Sequence, residues 1–297
     1  MGTVETSQAD TSIVRRSVIK TVGRRIARVM QRTLPSHAYQ VTMDAALATW
    51  RFSQREVYRH HEVAARLAGD LQGAQRAHLV RTAMRRSLVG ASGLEATFDA
   101  VRSLQQRRVP GCLVELGVAR GGCAALIRAA ADLSGPRRHL WLFDSYEGLP
   151  DPTEADLQNG ATGDHIRPLP KGSCLGTYSD VDSYLFSEMR FSRDDVTMVK
   201  GWFEVTVPAT QGVLGPIALL RIDADWYESV RTCLQGLYDQ VSPGGAIVVD
   251  DYGTCFGARR AVDEFLVERG LAPPLEHDGR GGCLWRKEID ASPFAYA

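Results

Sequence analysis

The 297-residue chain carries 35 Lys and Arg against 35 Asp and Glu, and 44% of its residues are hydrophobic. Balanced charge argues against a nucleic-acid binder, and the apolar fraction is enough for a substantial core. Six cysteines without paired spacing, and no apolar run of the ~20 residues that span a bilayer, predict a cytoplasmic protein with no membrane partner.

Residues 1–12 are polar and read as disordered. Val14, Val18, Val22, Ile26 and Met30 recur every four residues, which predicts an amphipathic basic helix. "RRSVIK" (15–20) resembles the twin-arginine part of an export signal, but Arg24, Arg25 and Arg28 interrupt the apolar stretch that export needs. The helix therefore reads as an oligomer arm or as a helix packed on the main domain. Its Arg-rich face leaves a membrane-surface helix as the alternative. Residues 13–108 read as helical throughout, and 1–84 as an N-terminal helical extension, with "ATFDAVRSL" (96–104) the last helix before the core.

Pro110-Gly111 breaks the helical pattern. Five apolar runs follow: "CLVEL" (112–116), "HLWLFD" (139–144), "DVTMVKG" (195–201), "ALLRID" (218–223) and "AIVVD" (246–250). Helical stretches at 123–133, 227–241 and 257–270 alternate with them. This alternation predicts an α/β fold with a doubly wound, mostly parallel sheet over 85–297. "PPLEH" and "GCLWRKE", joined by the turn "DGRGG" (278–282), predict an antiparallel hairpin closing one sheet edge. Residues 150–195 are polar, carry Pro and Gly, and are long for a connection, so they read as a lid over the acceptor.

Two motifs carry chemistry. In "VELGVARGG" (114–122), Ala119 stands where a dinucleotide fingerprint has its central glycine, which disfavours a pyrophosphate. Glu115 suits a cationic amino group, and the helix starting near Gly122 offers free N–H groups to a carboxylate. Asp144, ending the second strand, is placed to accept from ribose hydroxyls. The second motif is four carboxylates at strand ends: Asp223, Asp225, Asp250 and Asp251. If the two strands are neighbours, like charges crowd unless they share a cation or a proton, and an all-oxygen set without His or Cys favours Mg²⁺, with Ca²⁺ and Mn²⁺ as alternatives. A nucleoside with a cationic tail beside a metal points to metal-assisted methyl transfer. Asp225 is then the base that takes the proton from a substrate hydroxyl. Asp223 and Asp225 share a side only if the strand continues through both.

Residues 85–287 resemble the macrocin O-methyltransferase family, Mg²⁺- and S-adenosylmethionine-dependent sugar O-methyltransferases of antibiotic biosynthesis. "RRSLVG" (85–90) is similar to the family's R-T-M-V-G element, with Ser87 and Leu88 in place of Thr and Met. "VPGCLVELGVARGG", "LFDSYEGLP", "VKGWFEVTVP", "PLEHDGRGGCLWRKE" and the whole of 219–253 are similar too. The resemblance implies a class I, Rossmann-like methyltransferase fold. It implies Asp223, Asp250 and Asp251 as metal ligands and Asp225 as general base. It places Leu88 against the cofactor, Glu115, Gly117 and Gly122 at its methionine end, Asp144 and Ser145 at its ribose, and Gly201 and Trp202 at its adenine. Residues 151–195 depart from the family's wording, which leaves the acceptor open. Helices like 1–84 join subunits in the family, so a homo-oligomer is expected. The competing functions are methylation of a catechol or other small-molecule hydroxyl, a nicotinamide-dependent oxidoreductase, and a non-catalytic partner subunit. His60, His61, His165 and His277 lie in no motif, while Trp202 and Trp226 are candidates for stacking on an acceptor ring.

Overall fold

The computed structural model describes residues 30, 33, 35–163 and 169–288. The readings for residues 1–12 and for the basic helix up to residue 29 lie outside the described residues, as does His165. The chain falls into two compact units, Met1–Gln54 and Arg55–Ala297. Helix α1 (Ser36–Leu67) contributes residues to both. Helix α2 (Leu71–Ala83) belongs to the second unit. The reason is local. Asp70 caps α2 through the Gly73 amide at 2.8 Å, and Ala74, Ala77, Val80 and Ala83 bury one small-residue face of it in the core.

Helix α3 (Ala91–Gln106) leads into strand β1 (Cys112–Leu116), helix α4 (Gly122–Asp132) and strand β2 (Leu140–Asp144). A short helix α5 (Tyr178–Asp182) runs straight into a π-helical stretch (Ser183–Glu188). Strand β3 (Val196–Lys200), helix α6 (Phe203–Leu214), strand β4 (Ile217–Ile222), helix α7 (Tyr227–Leu237), strand β5 (Val241–Val249) and helix α8 (Phe256–Glu268) follow. Strands β6 (Glu276–His277) and β7 (Cys283–Arg286) end the fold.

The seven strands lie in the order β3-β2-β1-β4-β5-β7-β6. The first five are parallel, and β7 is antiparallel to both β5 and β6. Both faces are covered, which is why β1 and β4 read as continuous apolar runs. Leu113 and Leu219 pack on the face of α3 and α4, while Val114, Leu220 and Ile222 pack on the face of α7 and α8. Strand alternation therefore puts Glu115 and Arg221, which oppose each other in the β1–β4 register, on the α3/α4 face. The strand order reverses between β1 and β4, and the crevice beyond the carboxyl ends of such a pair is where α/β sheets bind ligands.

All six cysteines are free. Among the described residues no helix is long and apolar enough to cross a membrane.

Candidate active site

Glycine shapes the turn after β1. Gly117 has φ +89°, and a Cβ there would collide with the Asp223 carbonyl. At Gly122 a Cβ would collide with the Ala83 carbonyl and the Ser87 amide, so the start of α4 lies flush against residues 83–87. That contact brings the 85–90 element to the turn, where the Leu88 carbonyl accepts from Arg280 at 3.3 Å. Glu115 is fully buried; its Oε1 accepts from Arg221 at 3.2 Å, and its Oε2 has no partner among the described residues. An orphaned buried carboxylate oxygen beside a helix N-terminus suits a ligand's ammonium group.

Asp144 braces this turn. Its Oδ2 accepts from the amides of Val118 (2.7 Å) and Ala119 (3.0 Å), and its Oδ1 from Tyr146 N (2.6 Å). A carboxylate offers about four acceptor positions, so one remains for a ribose hydroxyl. Burial still holds its carboxyl above the usual carboxylate range, against those three amides. Ser145 is buried and its hydroxyl is spent on its own loop, donating to Gly148 O (3.3 Å) and accepting from Glu147 N (3.1 Å). Gly201 donates to the Asp144 carbonyl at 2.9 Å, which sets the end of β3 beside β2. Trp202, one residue on, caps α6 and is 36% exposed.

The four aspartates converge. Oxygens of Asp223, Asp250 and Asp251 lie within 4.8 Å of one another. Asp225 lies apart from this trio and joins Asp251 and Cys255 in a second group of the same tightness. β4 ends at Ile222, so strand alternation does not place Asp225. Its φ of +55° turns the chain instead, a conformation Asp tolerates better than most residues. The Cys255 thiol donates to its Oδ1 at 3.7 Å, and Thr254 Oγ1 donates to Asp251 Oδ1 at 2.9 Å.

Arg221 is the residue the sequence reading passed over. It sits inside the quoted "LLRID" and is fully buried. Nη1 donates to Glu115 (3.2 Å) and Asp223 (3.0 Å), Nη2 to Asp250 (2.9 Å), and Nε to Thr97 Oγ1 (3.4 Å). A charged residue in an otherwise apolar parallel strand was the available signal. One guanidinium does not balance this cluster. Burial pushes the Glu115 carboxyl up to about 7 and those of Asp223 and Asp250 up to about 6, with Arg221 opposing in each case. Burial, then the charges of Asp251, Asp223 and Asp250, raise Asp225 well above its ordinary value. The Asp223 side chain stays 22% exposed, so the cluster opens to solvent. Three carboxylates with surplus negative charge and solvent access fit a hard divalent cation.

Around the cleft, residues 150–163 are pinned. Asp156 is fully buried, caps Thr153 N at 2.7 Å and accepts from Tyr227 N at the start of α7 at 2.6 Å. Trp226, buried beside Asp225 in sequence, donates to Pro150 O at 3.0 Å, so it is a core residue. His60, His61 and His277 are exposed.

A family model described as macrocin-O-methyltransferase (TylF) matches residues 24–287. Demethyldecarbamoylnovobiocin O-methyltransferase of Streptomyces niveus is 34% identical over 203 residues, 68% of this chain and 75% of that protein. Mycinamicin III 3''-O-methyltransferase of Micromonospora griseorubida is 31% identical over 203 residues, 68% of this chain and 78% of its own. Among solved structures, that of the O-methyltransferase NovP superposes with a TM-score of 0.59 at 32% identity, covering 69% of this chain and 83% of the other.

Proposed function

The chain belongs to the macrocin O-methyltransferase family, and on that premise we propose that it methylates a sugar hydroxyl of a natural product with the help of a divalent cation, Mg²⁺. The family is one of S-adenosylmethionine-dependent O-methyltransferases, which sets aside the nicotinamide oxidoreductase and the non-catalytic subunit. The observation that carries the metal reading is the approach of Asp223, Asp250 and Asp251 to within 4.8 Å. The sugar reading is supported by the relatives' names: one specifies a 3''-O position, and another, from Streptomyces olivaceus, a 4'-O position on a rhamnosyl tetracenomycin.

When bound, S-adenosylmethionine supplies an electrophilic methyl group and the cation lowers the pKa of the acceptor hydroxyl. The chain's own residues do the rest. Glu115 takes the cofactor's ammonium, the amides at the start of α4 its carboxylate, and Asp144, with Ser145 shaping its loop, a ribose hydroxyl. Leu88 lines the pocket through its backbone, and Gly201 and Trp202 flank the adenine. Asp223, Asp250 and Asp251 would hold the cation, with Arg221 bridging the first two. Asp225, raised by burial and its neighbours, accepts the hydroxyl proton. Residues 85–297 form the catalytic domain, and 150–195 cover the acceptor. The protein works in the cytoplasm as a homo-oligomer; exposed Val57, Val63 and Leu67 on α1 support self-association.

The test is incubation with labelled methyl donor and a panel of glycosylated and phenolic acceptors, read by mass spectrometry. Methylation of a sugar oxygen is expected. Methylation of catechols alone would replace the sugar reading with the small-molecule one.

A further inference from the structure

Three buried polar atoms on residues around the β1–α4 turn have no partner among the described residues. They are Glu115 Oε2, the Tyr146 hydroxyl and the Tyr184 hydroxyl, on residues 1%, 5% and 4% exposed. The Tyr184 ring stands 3.2 Å from where a Cβ on Gly121 would lie, so it abuts the residue that precedes α4. That helix start has no side-chain cap. Tyr146 follows Asp144 closely in sequence, and its ring meets Tyr178 edge-on at 5.1 Å. Its backbone N–H donates to Asp144 Oδ1, while Asp144 Oδ2 accepts from the amides of Val118 and Ala119, so Tyr146 sits beside the turn.

Tyr184 lies in the π-helical stretch after α5. A π-turn is rare and is frequently found at functional sites. Here it is held firmly: Arg86 stacks on the Tyr184 ring at 4.8 Å and pairs with Glu188 at 2.7 Å. The fold thus buries two tyrosine hydroxyls on residues beside the turn and leaves both without a partner among the described residues. Buried groups normally find partners, and leaving one bare costs stability.

We propose that Tyr146 and Tyr184 receive the amino-acid end of S-adenosylmethionine, their hydroxyls donating to its carboxylate while Glu115 Oε2 faces its ammonium. This rests on the reading of the β1 turn as the cofactor site. It makes the π-turn within 150–195 part of the cofactor pocket as well as of the acceptor's cover.

Calorimetry with S-adenosylhomocysteine and with 5'-methylthioadenosine, which lacks the amino-acid end, tests the proposal on the full chain. Tyr184→Phe and Tyr146→Phe should each weaken S-adenosylhomocysteine roughly tenfold, as expected for a hydrogen bond to a charged group. Methylthioadenosine affinity should stay unchanged. The ligand-free Tm should hold or rise, since an orphaned hydroxyl is removed. Unchanged S-adenosylhomocysteine affinity in both variants would overturn the proposal and leave the cofactor site standing. So would an equal loss for both ligands, which is the mark of a structural role. Failure of the unaltered protein to bind S-adenosylhomocysteine would overturn the cofactor reading and this inference together.

Discussion

Two buried carboxylate centres in this fold take opposite electrostatic solutions. At Glu62 on α1 one acid meets three bases: Arg66 at 2.9 Å, His78 at 3.1 Å and Arg81 at 3.0 Å. Burial works to raise that carboxyl, and the hydrogen bonds and charges of Arg81 and His78 outweigh it, so Glu62 sits below its ordinary value. Beyond β4 and β5 the proportion is inverted. Glu115, Asp223 and Asp250 share Arg221, Asp225 and Asp251 stand beside them, and Arg280 reaches Asp250 only at 3.7 Å. There the carboxyls are pushed up. Burial alone therefore does not fix the sign; the number of cations within reach does. The first centre is a finished ion-pair hub between helices. The second carries negative charge that the chain does not neutralise, which marks a place prepared for something positive.

The sharpest way to break this contrast is to withdraw the cation. Chelation should take methyl transfer to background while S-adenosylhomocysteine binding, read by calorimetry, persists. Turnover that survives chelation would make the cluster another structural network. Next in size, Asp225→Asn should lower kcat by roughly 10²–10⁴-fold with cation and cofactor binding retained, because Asn tolerates the same backbone turn and loses only the proton acceptor. Third, Mg²⁺ at a hundred times its Kd should stabilise the protein by about 2.7 kcal/mol, seen as a rise in Tm. The same addition should raise Glu62→Gln equally, since that hub takes no part in cation binding.

The smallest effect belongs to Glu62 itself. With its partners partly exposed, Glu62→Gln should cost about 1 kcal/mol and leave kinetics unchanged. Its pH dependence has a definite sign. The folded value lies below the unfolded one, so the hub's contribution is complete above the unfolded value of ~4.3 and is lost as pH falls through the folded value. The Tm gap between wild type and variant should thus hold from pH 7 to about 5 and close at lower pH. A gap that persists in acid would mean that packing, not charge, holds α1 to α2.

Much of the second centre was legible because its signals are local. Apolar runs ending in Asp mark β4 and β5, and glycines at 117 and 122 stand where a Cβ has no room. Other features depend on the third dimension. Arg221 passed unnoticed because its role comes from the β1–β4 register, which sets it opposite Glu115. Helix α6 escaped because "FEVTVPATQGVL" is rich in β-branched residues and holds Pro208, which deletes a helical hydrogen bond; burial of Val207 and Leu214 overrides that propensity. β5 begins earlier than read because "SPGG" has turn chemistry, yet Gly244 N bonds Lys287 O at 2.9 Å from the antiparallel edge.

The most direct test of the central claim is a calorimetric titration of Mg²⁺ into chelator-stripped protein and its Asp→Asn variants at 223, 225, 250 and 251. The account predicts one saturable site in the wild type and in Asp225→Asn, and its loss in each of the other three. Absence of saturable binding in the wild type, or binding indifferent to those three carboxylates, would contradict it.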